Sequence, residues 1–401
     1  MKFEFIDQPD QFALFCDRLL RAKLIAFDTE FISEDCYRPE LCLLQVVADG
    51  ELALIDGTRI GDCRLFWQAL ADGSATIVAH AARAEFLFAY YAIGRPLERL
   101  FDIQLAAGFV GLEYPAAYST LVQKLAKESL DKSETRSDWR RRPLSQQQID
   151  YALQDVMHLP TIHQHLVAKL DDLGRTAWME QEMRDWQLQL IENEVSEPWR
   201  RLSGFASLSH RSMAIAAKLW EWRERNAEKR NIPARRVLRD DLLIELARRE
   251  TSNPQQIKLL RGMEHRNHDR DLPAIAEAIA VAIESPKDQW PEKSPRSTSG
   301  QDLNLLGQFL YSAFSIICRD LGLATGLVGT VQDVRKLAAW HLKLNSPDEP
   351  PPRLARGWRA EIVGATIHEM LQGKWGIWID RPLDDQPLSL LAAEKNAKPR
   401  T

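Results

Sequence analysis

Cysteine is scarce in this chain. Five residues in 401 (Cys16, Cys36, Cys42, Cys63 and Cys318) are scattered without a Cys-x-x-Cys pair. An odd, dispersed set suits free thiols in a reducing compartment better than a disulfide framework, so a cytoplasmic location is expected. An excess of charge is lacking too. The 52 Lys and Arg against 57 Asp and Glu leave a formal charge of -5, which excludes a surface coated in basic residues. Any nucleic-acid binding must come from local patches. No hydrophobic run approaches the length of a membrane span, and Glu4 and Asp7 fall too early for a secretory signal; no membrane partner is expected. No Gly-x-x-x-x-Gly-Lys-[Ser/Thr] loop occurs, which leaves the chain without a recognisable ATP-driven motor. What remains is an ordinary globular composition, 45% hydrophobic and 27% charged, at a length that predicts two or three domains.

The stretch that organises the chain is Leu24-Ile-Ala-Phe-Asp28-Thr-Glu30-Phe31, an apolar run of strand length ending in two acids. Alternation along a strand puts Asp28 and Glu30 side by side on one face. Two adjacent carboxylates repel, and burying them calls for a cation; a hard divalent metal takes such oxygen ligands. Alone, an Asp-x-Glu is more often a solvated strand end. Around it, residues 2–6, 41–47, 51–55 and 76–79 read as strands, and 9–20, 63–71 and 84–92 as helices, with Asp7 as a cap for the first. Consecutive strands followed by alternation with helices predict an α/β sheet. His80 to Glu85 starts where a strand ends, which could deliver Glu85 to the carboxyl edge of the sheet. Ser145 to Gln148 is a capping box opening a helix that carries Tyr151 and Asp155 on one face. His80 lacks a ligand partner at metal-site spacing and reads as structural.

Taken together, Phe27-Asp28-Thr29-Glu30-Phe31, His80 to Glu85 and Tyr151-x-x-x-Asp155 resemble the three motifs of the DEDD exonuclease superfamily, in its tyrosine subgroup, and within it the ribonuclease D family. Phe101-Asp102-Ile103-Gln104 and Lys132 to Trp139, followed by Arg142-Pro143, resemble that family as well. The resemblance implies a ribonuclease-H-like exonuclease domain over residues 1–195 and two divalent metal ions, Mg2+ or Mn2+. It implies that Asp28 bridges the metals, that Glu30 and Asp155 complete their coordination, that Glu85 holds the second metal, and that Tyr151 orients the attacking water. One departure stands out: the second motif of the family ends in Asp, and Glu85 occupies that place here. The loop before the Tyr151 helix carries Lys132, Arg136, Trp139, Arg140, Arg141 and Arg142. Cations neutralise phosphate and aromatics stack on bases, so this loop is expected to contact a single strand of RNA.

The helix from Ser145 is expected to run towards Pro198 with a break at Pro160 or Gly174. Residues 199–285 read as helical throughout and resemble an HRDC domain, with a basic stretch from Arg223 to Arg239 as a second RNA surface. A Pro/Ser-rich linker at 285–300 precedes helices near 303–321, 330–342 and up to 371. These resemble a second, divergent HRDC domain over 300–375, and 381–401 is expected to be a flexible tail. The architecture expected is therefore an α/β exonuclease domain followed by two all-α HRDC-like domains. The function expected is a monomeric 3′–5′ exoribonuclease releasing nucleoside 5′-monophosphates from RNA with a free 3′ end, transfer RNA precursors among them. Two rivals stay open: an RNA-binding scaffold whose metal site Glu85 has impaired, and a DNA 3′–5′ exonuclease.

Overall fold

The computed structural model describes residues 2–130, 137–263, 269–293, 303–345, 347 and 349–392. Its first half is built on a six-stranded mixed sheet of β1 (Glu4–Ile6), β2 (Leu24–Ile32), β3 (Glu40–Ala48), β4 (Glu51–Asp56), β5 (Thr76–Ala79) and β6 (Leu100–Asp102). The order is β1-β4-β3-β2-β5-β6, with β2, β3 and β4 antiparallel and the β1/β4, β2/β5 and β5/β6 pairs parallel. Helix α1 (Pro9–Leu19) starts at Gln8 with no side-chain cap, so the expected Asp7 cap does not form. The helices α2 (Arg64–Asp72) and α3 (Arg83–Ile93) follow.

One face of β2 is apolar for a reason visible in its alternation. Ile25 and Phe27 are buried, and the Phe27 ring meets Phe66 and Trp67 of α2 edge-on at 5.7 and 5.8 Å. The other face carries Asp28 and Glu30 under α5 (Gln146–Met157), α4 being Ile103–Phe109. The long helical stretch after Ser145 divides at His158 and again near Gly174, giving α6 (Leu159–Asp172) and α7 (Thr176–Val195).

Residues 199–285 form a unit with its own core, centred on α8 (His210–Arg230), α9 (Asp240–Arg249) and α10 (Leu272–Glu284). The segment after it behaves differently. Helices α11 (Asn304–Asp320), α12 (Val331–His341) and α13 (357–371, with a π turn at Ala360–Gly364) share one continuous core with the exonuclease sheet. Trp358 packs against Phe109 and Trp178, with ring centroids 4.9 and 5.6 Å away. Glu182 of α7 is buried among Arg359, whose Nη2 reaches Oε1 at 2.7 Å, Arg353 at 3.0 Å and the Trp358 indole at 3.1 Å. Burial pushes the Glu182 carboxyl up, but the Arg359 guanidinium outweighs it and holds the group below its ordinary value. The segment expected as a second, divergent HRDC-like domain over 300–375 is thus docked on the exonuclease domain. The flexible tail is corrected in part. β8 (Leu388–Ala392) pairs antiparallel with β7 (Trp375–Ile379), because alternating apolar residues on both strands make a hairpin, and 393–401 lie outside the described residues.

Candidate active site

The site lies where β2 outruns its parallel neighbour. Strand β5 pairs with β2 only from Leu24 to Ala26, so Asp28 and Glu30 stand beyond it, at the junction between a parallel and an antiparallel neighbour. Such switch points open a crevice at strand ends. A register shift between Glu30 and Phe31 turns the strand away just after the second acid. Above this face, the capping box of Ser145 and Gln148 starts α5 and aims Asp155 downwards. Carboxylate oxygens of Asp28, Glu30 and Asp155 all lie within 4.8 Å of one another.

The electrostatics of this cluster are unfavourable by itself. Burial, then the charges of Glu85, Asp155 and Glu30, push the Asp28 carboxyl well above its ordinary 3.8. Glu30 is pushed up to about 8 by burial and by Asp155 and Glu85. Asp155 is pushed up to about 6 by burial, against a hydrogen bond that the Tyr151 hydroxyl donates to it. Tyr151 is in turn held protonated by burial and by the surrounding carboxylates. Gln45, directly across from Asp28 in the strand pairing, is fully buried, and neither its amide nitrogen nor its oxygen has a hydrogen-bond partner among the described residues. Converging acids and an unpaired amide make a donor set suited to a hydrated divalent cation.

Glu85 sits one step outside the cluster. It is 5% exposed, in the first turn of α3, and its Oε1 accepts a 2.6 Å hydrogen bond from the Thr29 hydroxyl. Burial raises its carboxyl to about 7, although the Thr29 bond opposes the rise. The turn that delivers Glu85 is held by Asp102, whose carboxylate accepts the Ala81, Ala82 and Gln104 amides at 3.0, 3.0 and 2.8 Å. Ala81 has φ +53°, a conformation that needs such support in a non-glycine residue. Sequence reasoning gave Asp102 no role, although an acid between a strand and a helix is an N-cap signal. It missed Tyr118 entirely, whose hydroxyl donates to the Gln154 carbonyl beside Asp155. His80 bonds the Ala116 carbonyl at 2.9 Å through Nε2, a structural contact.

Among the expected RNA contacts before α5, Trp139 needs correction. Trp139 is buried in a small cluster with Cys42, Leu43, Leu54, Ala152 and Leu153, its ring tilted against Tyr151 at 6.1 Å, and so cannot stack on a base. Arg140 is forked onto Asp35 at 2.9 and 3.0 Å and reaches Glu40 at 2.8 Å. Arg142 is likewise spent on the buried Asp56, at 2.6 Å through both Nε and Nη2. Arg141 is exposed, with no side-chain partner among the described residues. Lys132 and Arg136 lie outside the described residues.

Comparison with known proteins agrees with this geometry. The family model described as 3′–5′ exonuclease matches residues 3–171, and the HRDC domain model matches 212–279. The chain is 32% identical over 380 residues to the ribonuclease D of Zymomonas mobilis, covering 92% of this chain and 94% of that protein. It belongs to the ribonuclease D family. The ribonuclease D of Bartonella henselae is 30% identical over 386 residues, covering 94% and 92%. The crystal structure of Escherichia coli RNase D, an exoribonuclease involved in structured RNA processing, superposes with a TM-score of 0.79 at 28% identity, covering 93% of this chain and 99% of that one. As a ribonuclease D, the protein is a 3′–5′ exoribonuclease with a ribonuclease-H-like catalytic domain and a helical HRDC domain, and the family implies dependence on a divalent metal. No helix among the described residues is long and apolar enough to cross a membrane.

Proposed function

We propose that this exoribonuclease trims the 3′ ends of structured RNAs, transfer RNA precursors among them, as a cytoplasmic monomer that uses two divalent ions, Mg2+ or Mn2+. The observation that carries the reading is the convergence of Asp28, Glu30 and Asp155, with oxygens within 4.8 Å, beneath the Tyr151 that bonds Asp155. Asp28, Glu30 and Asp155 would hold the metals, with Glu85 serving the second from the outer side. Paired divalent ions stabilise both the attacking and the leaving oxygen of an in-line phosphoryl displacement. Tyr151, kept protonated at neutral pH, is placed to orient the attacking water, and no covalent intermediate on the protein is needed.

A further surface for the RNA lies on the face of α3. A groove of about 420 Å3 there is lined by Arg38, Ala81, Arg83, Leu87, Phe88 and Tyr91, with Arg38 lying over the Tyr91 ring and Arg83 as a further cation for phosphate. It opens towards the HRDC unit, where Arg38 meets Glu228 at 3.4 Å and the Tyr37 amide donates to Asn231. Within that unit, Arg223, Arg230 and Arg239 are taken up by Asp240, Asp271 and Asp241, leaving Lys229 and Arg235 exposed for phosphate. The test is a comparison of 5′-labelled RNA, the DNA of the same sequence, and a transfer RNA precursor with a 3′ extension. The reading expects RNA to shorten stepwise and the precursor to stop near its mature end. Preference for DNA would overturn the substrate assignment.

A further inference from the structure

We infer that Thr29 is a positioning residue, whose hydroxyl pins one oxygen of Glu85 so that the longer side chain presents its other oxygen to the metal site. This rests on the metal-site reading above and accounts for how Glu85 serves where the motif resemblance leads one to expect Asp. Strand alternation points Thr29 away from the face of Asp28 and Glu30, towards the start of α3. There its Oγ1 donates to Glu85 Oε1 at 2.6 Å, with the two residues 6% and 5% exposed. Glu85 is outside the group of acids whose oxygens lie within 4.8 Å, yet among the neighbouring charges it acts most strongly on Asp28. It therefore borders the cluster without belonging to it.

A glutamate reaches one C–C bond further than an aspartate, about 1.5 Å, and carries one more rotatable bond. An error near 1 Å at a reacting centre can cost about 10²-fold in rate. The Thr29 bond removes that freedom: with Oε1 fixed, only Oε2 and a narrow arc remain. The backbone on both sides is held as well, since Asp102 clamps the turn before α3 and Thr29 is paired with Leu44 of β3. Partners of this kind, which orient a ligand without touching the metal, typically contribute 10–100-fold to metal affinity.

The experiment titrates Mn2+ by calorimetry into metal-free full-length wild type, Thr29→Val, Thr29→Ser, Glu85→Asp and the Thr29→Val/Glu85→Asp pair, without RNA. Thermal melts in EDTA establish that each variant folds. Thr29→Val should weaken one Mn2+ event by 10–100-fold, and Thr29→Ser should stay within about threefold of wild type. The Val substitution should cost less in the Glu85→Asp background, because the shorter side chain no longer needs pinning. An isotherm for Thr29→Val that overlays wild type overturns the inference alone. A Ser variant as weak as the Val variant also overturns it, because the hydroxyl would then not be the cause. Wild type that takes up no Mn2+ overturns the metal site itself.

Discussion

Replacing Asp155 by Asn should stabilise the metal-free protein at neutral pH while abolishing its activity. The Asp155 carboxyl, ordinarily at 3.8, is raised to about 6, first by burial. Well below 3.8 the group is protonated in the folded and unfolded chains alike, and nothing is lost. As pH rises from there to about 6, the unfolded chain releases its proton first, so folding becomes progressively less favourable, and the penalty is complete above 6. At about 1.4 kcal/mol per pH unit, the interval from 3.8 to about 6 corresponds to about 3 kcal/mol. Partial solvent access and coupling with Asp28 and Glu30 reduce this to about 1–3 kcal/mol. Asn keeps an oxygen for the Tyr151 hydroxyl, so that bond survives. The assay is thermal denaturation of both proteins in EDTA between pH 4 and 8.5. The Asn variant should melt roughly 2–6 °C higher at pH 8, with the gain shrinking towards pH 4. Added Mn2+ should stabilise wild type and reverse the order. An Asn variant that melts at or below wild type at pH 8 in EDTA would refute the account of a repulsive, cation-requiring cluster.

Other outcomes follow from the same geometry. Tyr151→Phe keeps the ring against Trp139 and removes one hydroxyl; kcat should fall by roughly 10²-fold with little change in melting temperature, and an unchanged kcat would return Tyr151 to a packing role. Arg359→Leu should destabilise the fold by about 2–4 kcal/mol, because buried Glu182 keeps only the part-exposed Arg353 and the Trp358 indole, and Glu182→Leu/Arg359→Leu together should recover much of it; equal instability of single and double variants in urea unfolding would argue against a docked C-terminal segment held by this pair.

The local features were legible in the sequence. Strand alternation alone placed Asp28 and Glu30 on one face, and the Ser145 to Gln148 capping box set the start of the helix that aims Asp155. What was not legible depends on contacts far apart in the chain. Thr29 and Glu85 are 56 residues apart, and the side-chain types carry no sign of their pairing. Glu182 and Arg359 are 177 residues apart, so the docking of the C-terminal helices on the exonuclease core could not be read from the sequence. The basic run before α5 misled for a related reason. Arg140 and Arg142 have partners, Asp35, Glu40 and Asp56, on strands and loops that only the folded sheet brings near, and Trp139 has a hydrophobic floor in β3 and β4.

The central claim, that Asp28, Glu30 and Asp155 form a metal-dependent exonuclease centre, is tested most directly by single-turnover cleavage of a 5′-labelled single-stranded RNA by wild type and Asp28→Asn. Reactions contain Mg2+, Mn2+ or EDTA, and mononucleotides are identified by chromatography. The account predicts a ladder receding from the 3′ end, nucleoside 5′-monophosphates as product, arrest in EDTA, and loss of at least about 10³-fold with Asp28→Asn in a protein that still folds. Cleavage that persists in EDTA, or an Asp28→Asn variant near wild-type rate, would contradict it.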